Sequence, residues 1–350
     1  MKMPSQYNDD LLGLEGQWQY PDGTDRRVVA HSVVYPPNGF LPFLDLGTGD
    51  YFGYYWPLGK ESEEPLVAFS SHYAHSLIPE YSNLSNAAKC KLAKGASRND
   101  HEFRDVLLAA GLPEPSIDFR EIVQSEDHGR LLALDPHSPF HHCAYANQLV
   151  VRNELEQAEI HYRQAVELLP EYGVAHFGLG YLLRRTRRMP QAAVHLRAAL
   201  VSPITFWGYS YWRGHALPGD FCNDWPRKAL LWLQQLRELP IELRDDPFLA
   251  RIKELKLTSG QAADDDLPIL RQIVDEYITR RQWFDAVMLW TNLGDRASAE
   301  TTSFRERHRL TARSFAVRLA ELLRLAGNEQ RALLVESRLA TLSAPEGLHL

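Results

Sequence analysis

Two adjacent 34-residue stretches decide how most of this chain folds: residues 139–172, PFHHCAYANQLVVRNELEQAEIHYRQAVELLPEY, and residues 173–206, GVAHFGLGYLLRRTRRMPQAAVHLRAALVSPITF. When they are aligned, small and apolar residues recur at the same offsets: Ala146, Leu149, Ala158, Tyr162 and Ala165, then Gly180, Leu183, Ala192, Leu196 and Ala199. The small residues let two antiparallel helices approach closely, and the larger ones fill the gap to the next pair. The period therefore predicts stacked helical hairpins.

This pattern resembles the tetratricopeptide repeat (TPR), a family of stacked helical hairpins. Upstream, Pro136 lies 34 residues before Pro170, so an earlier helix pair is expected to end there. Downstream, the 12-residue spacing between the close-contact positions returns at Val274/Ala286 and at Ala320/Ala332. The resemblance implies an irregular superhelix of hairpins. An aromatic-rich segment, residues 204–226, interrupts it and is expected either to pack against the repeats or to contact a partner.

The first 80 residues show a pattern typical of β-strands. Short apolar runs are separated by turn sequences, and the runs cover residues 17–20, 27–35, 40–46, 51–56 and 66–70. Turns at this spacing indicate an antiparallel meander. Residues 82–94 then read as a short helix, with Ser82 or Asn83 as N-cap and Gly95 past its end.

Composition limits the classes of protein that fit. An apolar fraction of 45% with 24% charged residues is typical of a globular protein, and no run of about 18 apolar residues predicts a membrane span. The start lacks the apolar core of a secretory signal, and the three cysteines read as reduced thiols, so we expect a cytoplasmic protein. Residues 1–90 carry five Lys and Arg against eleven Asp and Glu, which disfavours nucleic-acid binding there and suits a basic partner.

Residues 49–65, GDYFGYYWPLGKESEEP, join an aromatic run to an acidic one. Alternation along the strand sends Tyr51, Gly53 and Tyr55 to one face and Phe52, Tyr54 and Trp56 to the other. One face is expected to be buried and the other to show aromatics beside the acids at 61–64. Such a surface suits a protein interface, because aromatics anchor a partner and rim charges steer it.

In context, residues 40–90 resemble the second half of a SUKH-family domain. The likeness is carried by Leu41-Pro42-Phe43, by the hairpin Gly49-Asp50-Tyr51-Phe52-Gly53, by the strand 66–69 and by the closing helix 82–94. The usual first helix of that family is represented only by residues 9–16, DDLLGLEG. The resemblance implies an immunity protein, which binds and neutralises a toxin domain, or a regulatory interaction module.

Three groups of residues have side chains that could form a chemical site. His137, His141, His142 and Cys143 suggest a zinc site, but their spacing fits no common zinc motif and favours helix packing. His72 and His75 could pair with Glu63 or Glu64 as an acid–base set, but no nucleophile or metal motif lies nearby. Arg184, Arg185, Arg187 and Arg188 could bind phosphates, although they fall on a turn between repeat helices with acids close by.

The sequence therefore predicts an α+β protein without cofactor, metal or catalytic site. A small antiparallel sheet domain with one or two helices (1–97) precedes TPR-like repeats (98–203), the aromatic segment (204–226), further hairpins (227–342) and a tail (343–350). The predicted function is binding and occlusion of a cognate toxin, and the alternative is a TPR adaptor; the oligomeric state is left open. The predicted partner contacts are Asp50, Tyr51, Tyr54, Trp56, Glu61, Glu63, Glu64, His72, Trp207, Tyr209, Tyr211 and Trp212.

Overall fold

The structure is a computed structural model that describes residues 37–45, 50–71, 76–94, 117–124, 127–207, 225–236, 239–256, 261–298 and 310–342. The strands predicted at 17–20 and 27–35, and the tail 343–350, lie outside these residues. Within them the chain forms a small antiparallel sheet followed by many helices, so the α+β class is confirmed.

In the described part of the chain, four strands form the sheet in chain order: β1 Phe40–Asp45, β2 Tyr51–Tyr55, β3 Leu66–Ser71 and β4 Ser76–Tyr81. All neighbours pair antiparallel, as a meander does. The sequence did not predict β4, which contains Pro79; as an edge strand of the described sheet it tolerates a residue without an N–H. Gly53 interrupts the aromatics of β2 because a Cβ there would lie 2.4 Å from the Leu41 carbonyl oxygen.

The described part of the chain contains thirteen α-helices, and none of them is long and apolar enough to cross a bilayer. They are α1 Leu84–Lys94, α2 Ile117–Gln124, α3 His128–Leu134, α4 Pro139–Val151, α5 Leu155–Leu168, α6 Gly173–Arg185, α7 Met189–Val201, α8 Trp225–Gln234, α9 Pro247–Ala250, α10 Gln261–Thr279, α11 Trp283–Ser298, α12 Ala312–Leu325 and α13 Glu329–Leu342. Asn83 caps α1 by accepting from the Asn86 N–H at 2.9 Å.

Four helical hairpins share one turn geometry: α4–α5, α6–α7, α10–α11 and α12–α13. Each turn contains a residue with positive φ, at Asn153, Arg187, Arg281 and Gly327. In each, the N–H of the residue after the positive-φ position donates to the carbonyl four residues before that position, at 2.8 to 2.9 Å. This is a helix C-terminal motif that reverses the chain tightly. The paired small residues, including Ala146, Ala158, Ala320 and Ala332, are buried in these hairpins.

The aromatic segment packs against the second hairpin at both of its described ends. Trp207 and Trp225 are buried, and the Trp225 indole N–H donates to the Trp207 carbonyl at 3.0 Å. The Trp225 ring stacks on Phe177 of α6 with centroids 4.8 Å apart. These ends therefore follow the packing alternative, while residues 208–224 lie outside the described chain.

Helices cover both faces of the sheet. Tyr51 and Tyr55 face a large core that includes residues of the hairpins α4–α5, α6–α7 and α10–α11. Tyr54 and Trp56 face a second core that includes residues of α1, α2 and α3. Strand β2 is consequently buried along its whole length, which a run of apolar residues between two layers requires.

Candidate functional site

The connection between β2 and β3 carries the acidic residues that the sequence assigns to a partner. Two consecutive turns form it, because the Lys60 N–H donates to the Pro57 carbonyl and the Glu63 N–H donates to the Lys60 carbonyl, each at 2.9 Å. Ser62, Glu63 and Glu64 are exposed at its end. We call residues 62–64 the acidic tip.

Two anchors hold the base of the acidic tip against the repeated hairpins. The Leu58 N–H donates to the Glu171 carboxylate, which lies between α5 and α6, at 2.7 Å. The Lys60 ammonium donates to the carbonyls of Glu167 and Leu168 at 2.9 and 3.3 Å. These carbonyls end α5, where a cation also complements the negative end of the helix dipole.

Arg331 of α13 supplies a third anchor from the far end of the chain. Its guanidinium pairs with the Glu61 carboxylate at 2.9 Å and donates to the Trp56 carbonyl. Arg331 and Glu61 are only 4% and 8% exposed, so water screens this pair little. Removing either partner would leave an uncompensated buried charge, which makes the pair a strict constraint on the position of the loop.

A hydrogen bond between Tyr55 and Glu171 completes the junction. The Tyr55 hydroxyl donates to the same Glu171 oxygen that Leu58 uses, at 2.6 Å. Burial raises the pKa of Tyr55 well above its usual value, so the phenol keeps its proton and acts as a donor. Burial also raises the pKa of Glu171, while the charge of Arg331 opposes that rise. The sheet, the repeated hairpins and α13 thus meet around one buried polar cluster.

The expectation of an exposed aromatic face on β2 is wrong. Tyr51, Tyr54 and Trp56 are 2%, 8% and 0% exposed because helices pack on both faces of the sheet, and Trp207 is fully buried over the second hairpin. Glu61 is buried as well, since its carboxylate turns inward to Arg331. None of these five side chains is accessible to a partner in this structure.

The remaining predicted contacts fall into two groups. Asp50 is partly exposed at the start of β2, and Glu63 and Glu64 are exposed in the acidic tip. His72, Tyr209, Tyr211 and Trp212 lie outside the described residues. Sequence reasoning missed Glu171 and Arg331, the residues that fix the tip. Glu171 stands where the second repeat has Thr205, which is a weak signal, and nothing in the sequence around Arg331 distinguishes it from other helical arginines.

Three members of the histidine and cysteine cluster at 137–143 pack as part of α4, while His137 is exposed on the loop before it. His141, His142 and Cys143 are buried, and burial raises the pKa of the Cys143 thiol to about 12. Among the described residues, no group of three or more His, Cys, Asp and Glu side chains is arranged to hold a metal ion. His142 instead bonds His161 of α5 between Nδ1 atoms at 2.9 Å. His176 and His195 make the same contact at 3.1 Å. Each of these two residues lies 34 positions after its counterpart, so the repeat alignment already pairs them.

The basic cluster on the turn between α6 and α7 is engaged within the molecule. Arg184 lies over the Trp232 ring, 4.4 Å from its centroid, and Arg185 donates to Asn153 at 2.7 Å. Arg188 pairs with Glu159 of the preceding hairpin. Arg184, Arg185 and Arg188 therefore contact other parts of this chain, and Arg188 does so through one of the acids of the preceding repeat.

Comparison with known proteins finds sequence similarity to the YfbP domain models and to one YfbP protein. Residues 22–105 match the model of a YfbP N-terminal domain, and residues 259–334 match that of a YfbP C-terminal domain. The chain is also 25% identical over 279 residues to the "Uncharacterized protein YfbP" of Escherichia coli (strain K12), covering 78% of this chain and 83% of that protein. The first match includes the sheet and the acidic tip, and the second includes α10 to α12 and the start of α13 with Arg331. The chain is thus similar to YfbP over most of its length.

Proposed function

We propose that this protein acts by binding another protein through the acidic tip. The observation that carries the proposal is an exposed pair of carboxylates on a loop whose base is fixed at three points. A loop that is already ordered loses little conformational entropy on binding. Exposed carboxylates steer a basic partner and set orientation. A protein with a basic surface is therefore the partner class that this site suits.

The repeated hairpins support the same proposal. Their common turn geometry and their buried small-residue pairs favour a TPR-like superhelix, which in that family is a scaffold for protein contacts. In this protein Tyr55 of the sheet packs against Phe206, which follows the second hairpin, with ring centroids 5.2 Å apart. We therefore propose that the hairpins position the tip, instead of offering an open groove.

The narrower proposal is a cytoplasmic immunity protein that occludes a cognate toxin, without cofactor or catalytic activity. It is supported by the SUKH-like order of strand, Gly-Asp-Tyr hairpin, acidic connection and closing helix. The observed β1, β2, β3 and α1 follow that order. A general TPR adaptor is the alternative, since the hairpins make up most of the described chain.

The experiment compares partners recovered from the source cells by wild type and by Glu63→Lys/Glu64→Lys. The matched control is Glu242→Lys/Asp245→Lys, which changes the same charge at two exposed acids elsewhere. We expect the tip variant alone to lose the partner, and added salt to weaken the wild-type complex. A partner retained equally by all three proteins would exclude the tip as the contact.

The partner's properties then separate the two classes. An immunity protein is expected to form a one-to-one complex with a single protein whose expression alone arrests growth, and co-expression of this chain should restore growth. Many unrelated partners, with no growth effect from any of them, would instead establish the adaptor.

A further inference from the structure

A pair of histidines joins the two helices of the hairpin α4–α5. The Nδ1 atom of His142 in α4 lies 2.9 Å from the Nδ1 atom of His161 in α5. The ring centroids are 5.2 Å apart, which is close to the largest separation that this N···N distance allows. The two nitrogens therefore face each other in line, along the direction in which an imidazole nitrogen binds a proton or a metal ion.

A hydrogen bond to the main chain orients the buried ring of His142. Its Nε2 lies 2.9 Å from the Pro136 carbonyl oxygen, which can only accept, so Nε2 carries the proton and Nδ1 presents a lone pair. A metal-binding histidine is usually held in this way, because its second nitrogen donates to a carbonyl or a carboxylate. The ring of His161 is partly exposed, so its Nδ1 proton can pass to Nε2 through water with no net loss of a proton.

The charge around this pair distinguishes it from the equivalent pair in the next hairpin. Burial lowers the pKa of His142, and the charge of Asp135 opposes that decrease. Burial also lowers the pKa of His176, the counterpart of His142, and there the charge of Arg197 adds to the decrease. Asp135 is fully buried, and one of its carboxylate oxygens has no hydrogen-bond partner within the described chain. A positive ion is therefore stabilised beside His142 and repelled beside His176.

The number of donor atoms limits which ion fits. In the described part of the chain, no third His, Cys, Asp or Glu side chain is placed to share a metal ion with this pair. The neighbouring Cys143 thiol keeps its proton, because burial raises its pKa to about 12. Zn²⁺ is usually bound by four ligands. Cu(I) has a filled d shell and a single charge, and two imidazole nitrogens in line satisfy it.

We propose that His142 and His161 bind one Cu(I) ion, which takes the place of the proton between their Nδ1 atoms and links α4 to α5. Metal–imidazole bonds are about 2 Å long, so a linear bridge requires the two Nδ1 atoms to be roughly 4 Å apart. The partly exposed ring of His161 provides this separation by turning about its side-chain bonds. The ion is a structural link within one hairpin, so the proposal is independent of the protein-binding role of the acidic tip.

The test measures Cu(I) affinity at pH 7 without oxygen, in competition with the chelator bicinchoninate. All proteins are full-length and carry Cys222→Ser, which removes a thiol outside the described residues. His161→Asn keeps an N–H donor for His142 but offers no metal-binding nitrogen, and His195→Asn makes the same change in the equivalent pair as the control. We expect His161→Asn to weaken Cu(I) binding about tenfold or more, because even the loss of an outer-shell partner has an effect of this size. His195→Asn should leave the affinity unchanged.

A second measurement uses the intact pair, so the outcome does not depend on the folding of a variant. Side-chain ¹⁵N NMR reports which imidazole nitrogen carries a proton or a metal ion. Cu(I) should shift the Nδ1 resonances of His142 and His161 and convert His161 to the Nε2–H tautomer, whereas Zn²⁺ at the same concentration should do neither. Thermal unfolding checks the fold of each variant. Unchanged Nδ1 resonances, an equal shift with Zn²⁺, or an equal Cu(I) affinity in folded His161→Asn and His195→Asn would overturn the proposal.

Discussion

The paired histidines predict that acid destabilises this protein through its repeated hairpins. In α6–α7, the His176 Nε2–H donates to the Pro170 carbonyl at 2.9 Å, so its Nδ1 is free to accept from His195. In α4–α5, His142 uses Pro136 and His161 in the same way. A proton added to Nδ1 of the accepting ring, His176 or His142, would place two donors face to face. Each pair therefore requires a neutral imidazole as its acceptor.

The magnitude follows from the second pair. Burial lowers the pKa of His176 to about 4, and the charge of Arg197 adds to the effect. Burial also lowers the pKa of His195 to about 3; the charges of His176 and Arg163 lower this pKa further, and the charge of Glu159 raises it. Because the folded pKa lies below the usual value of 6.5, the unfolded chain binds more protons between pH 6.5 and 4. Stability is then lost as pH falls through this window, by roughly 2 kcal/mol for each neutral ring between pH 7 and pH 5.

Urea unfolding at pH 7 and pH 5 measures this loss. His195→Asn replaces the ring with an amide that still offers an N–H near the position of Nδ1 but cannot titrate. We expect the difference in unfolding free energy between the two pH values to shrink by about 2 kcal/mol relative to wild type. His137→Asn is the control, since that ring is exposed on the loop before α4. If His195→Asn keeps the full wild-type difference, the reasoning is refuted.

Two further predictions concern stability and can be measured by urea unfolding at pH 7. Arg331→Met leaves Glu61 as an unpaired buried charge and should lower the free energy of unfolding by about 3 kcal/mol. The control is Arg324→Met, which should lower it by under about 1 kcal/mol because the partners Glu329 and Glu336 are exposed. Equal losses in the two variants would contradict the role of the junction. Arg281 has a φ of 59° in the turn between α10 and α11, so Arg281→Gly should raise the free energy of unfolding by up to about 1 kcal/mol. Gly327→Ala, at a φ of 82°, should lower it by about as much. A loss of stability in Arg281→Gly would refute the shared turn geometry.

The hairpins were predictable from sequence because their determinants are local. Ala146 and Ala158, like Ala320 and Ala332, are buried within a single helix pair, so the determinants of that packing lie close together in the sequence. The same locality let the sequence favour packing for His142 and Cys143. Strand β4 was missed since Pro79 argues against a strand, and only its place at the edge of the described sheet removes the objection.

The exposure of β2 could not be predicted in the same way. Alternation divides its side chains between two faces, but whether one face or both are covered depends on where distant helices dock. Tyr55 meets Phe206 and Arg331, which lie far along the chain, and no period connects those positions. The uninterrupted apolar run from Tyr51 to Trp56 was the available signal, because a strand with one wet face usually shows polar residues on it.

The junction around Arg331 links the two ends of the chain in a way that bears on the proposed function. Arg331 lies 275 residues after Trp56, yet it bonds that carbonyl and neutralises Glu61 beneath the acidic tip. One of the three anchors of the tip therefore depends on the docking of α13, although the residues of the tip are all near the N-terminus. The two segments that match the YfbP domain models each supply one side of this junction, and Glu171, between them, supplies the rest. The acidic tip that we propose as a binding surface is thus held by segments far apart in the chain, which is a physical reason for a small acidic loop to be carried on so many helices.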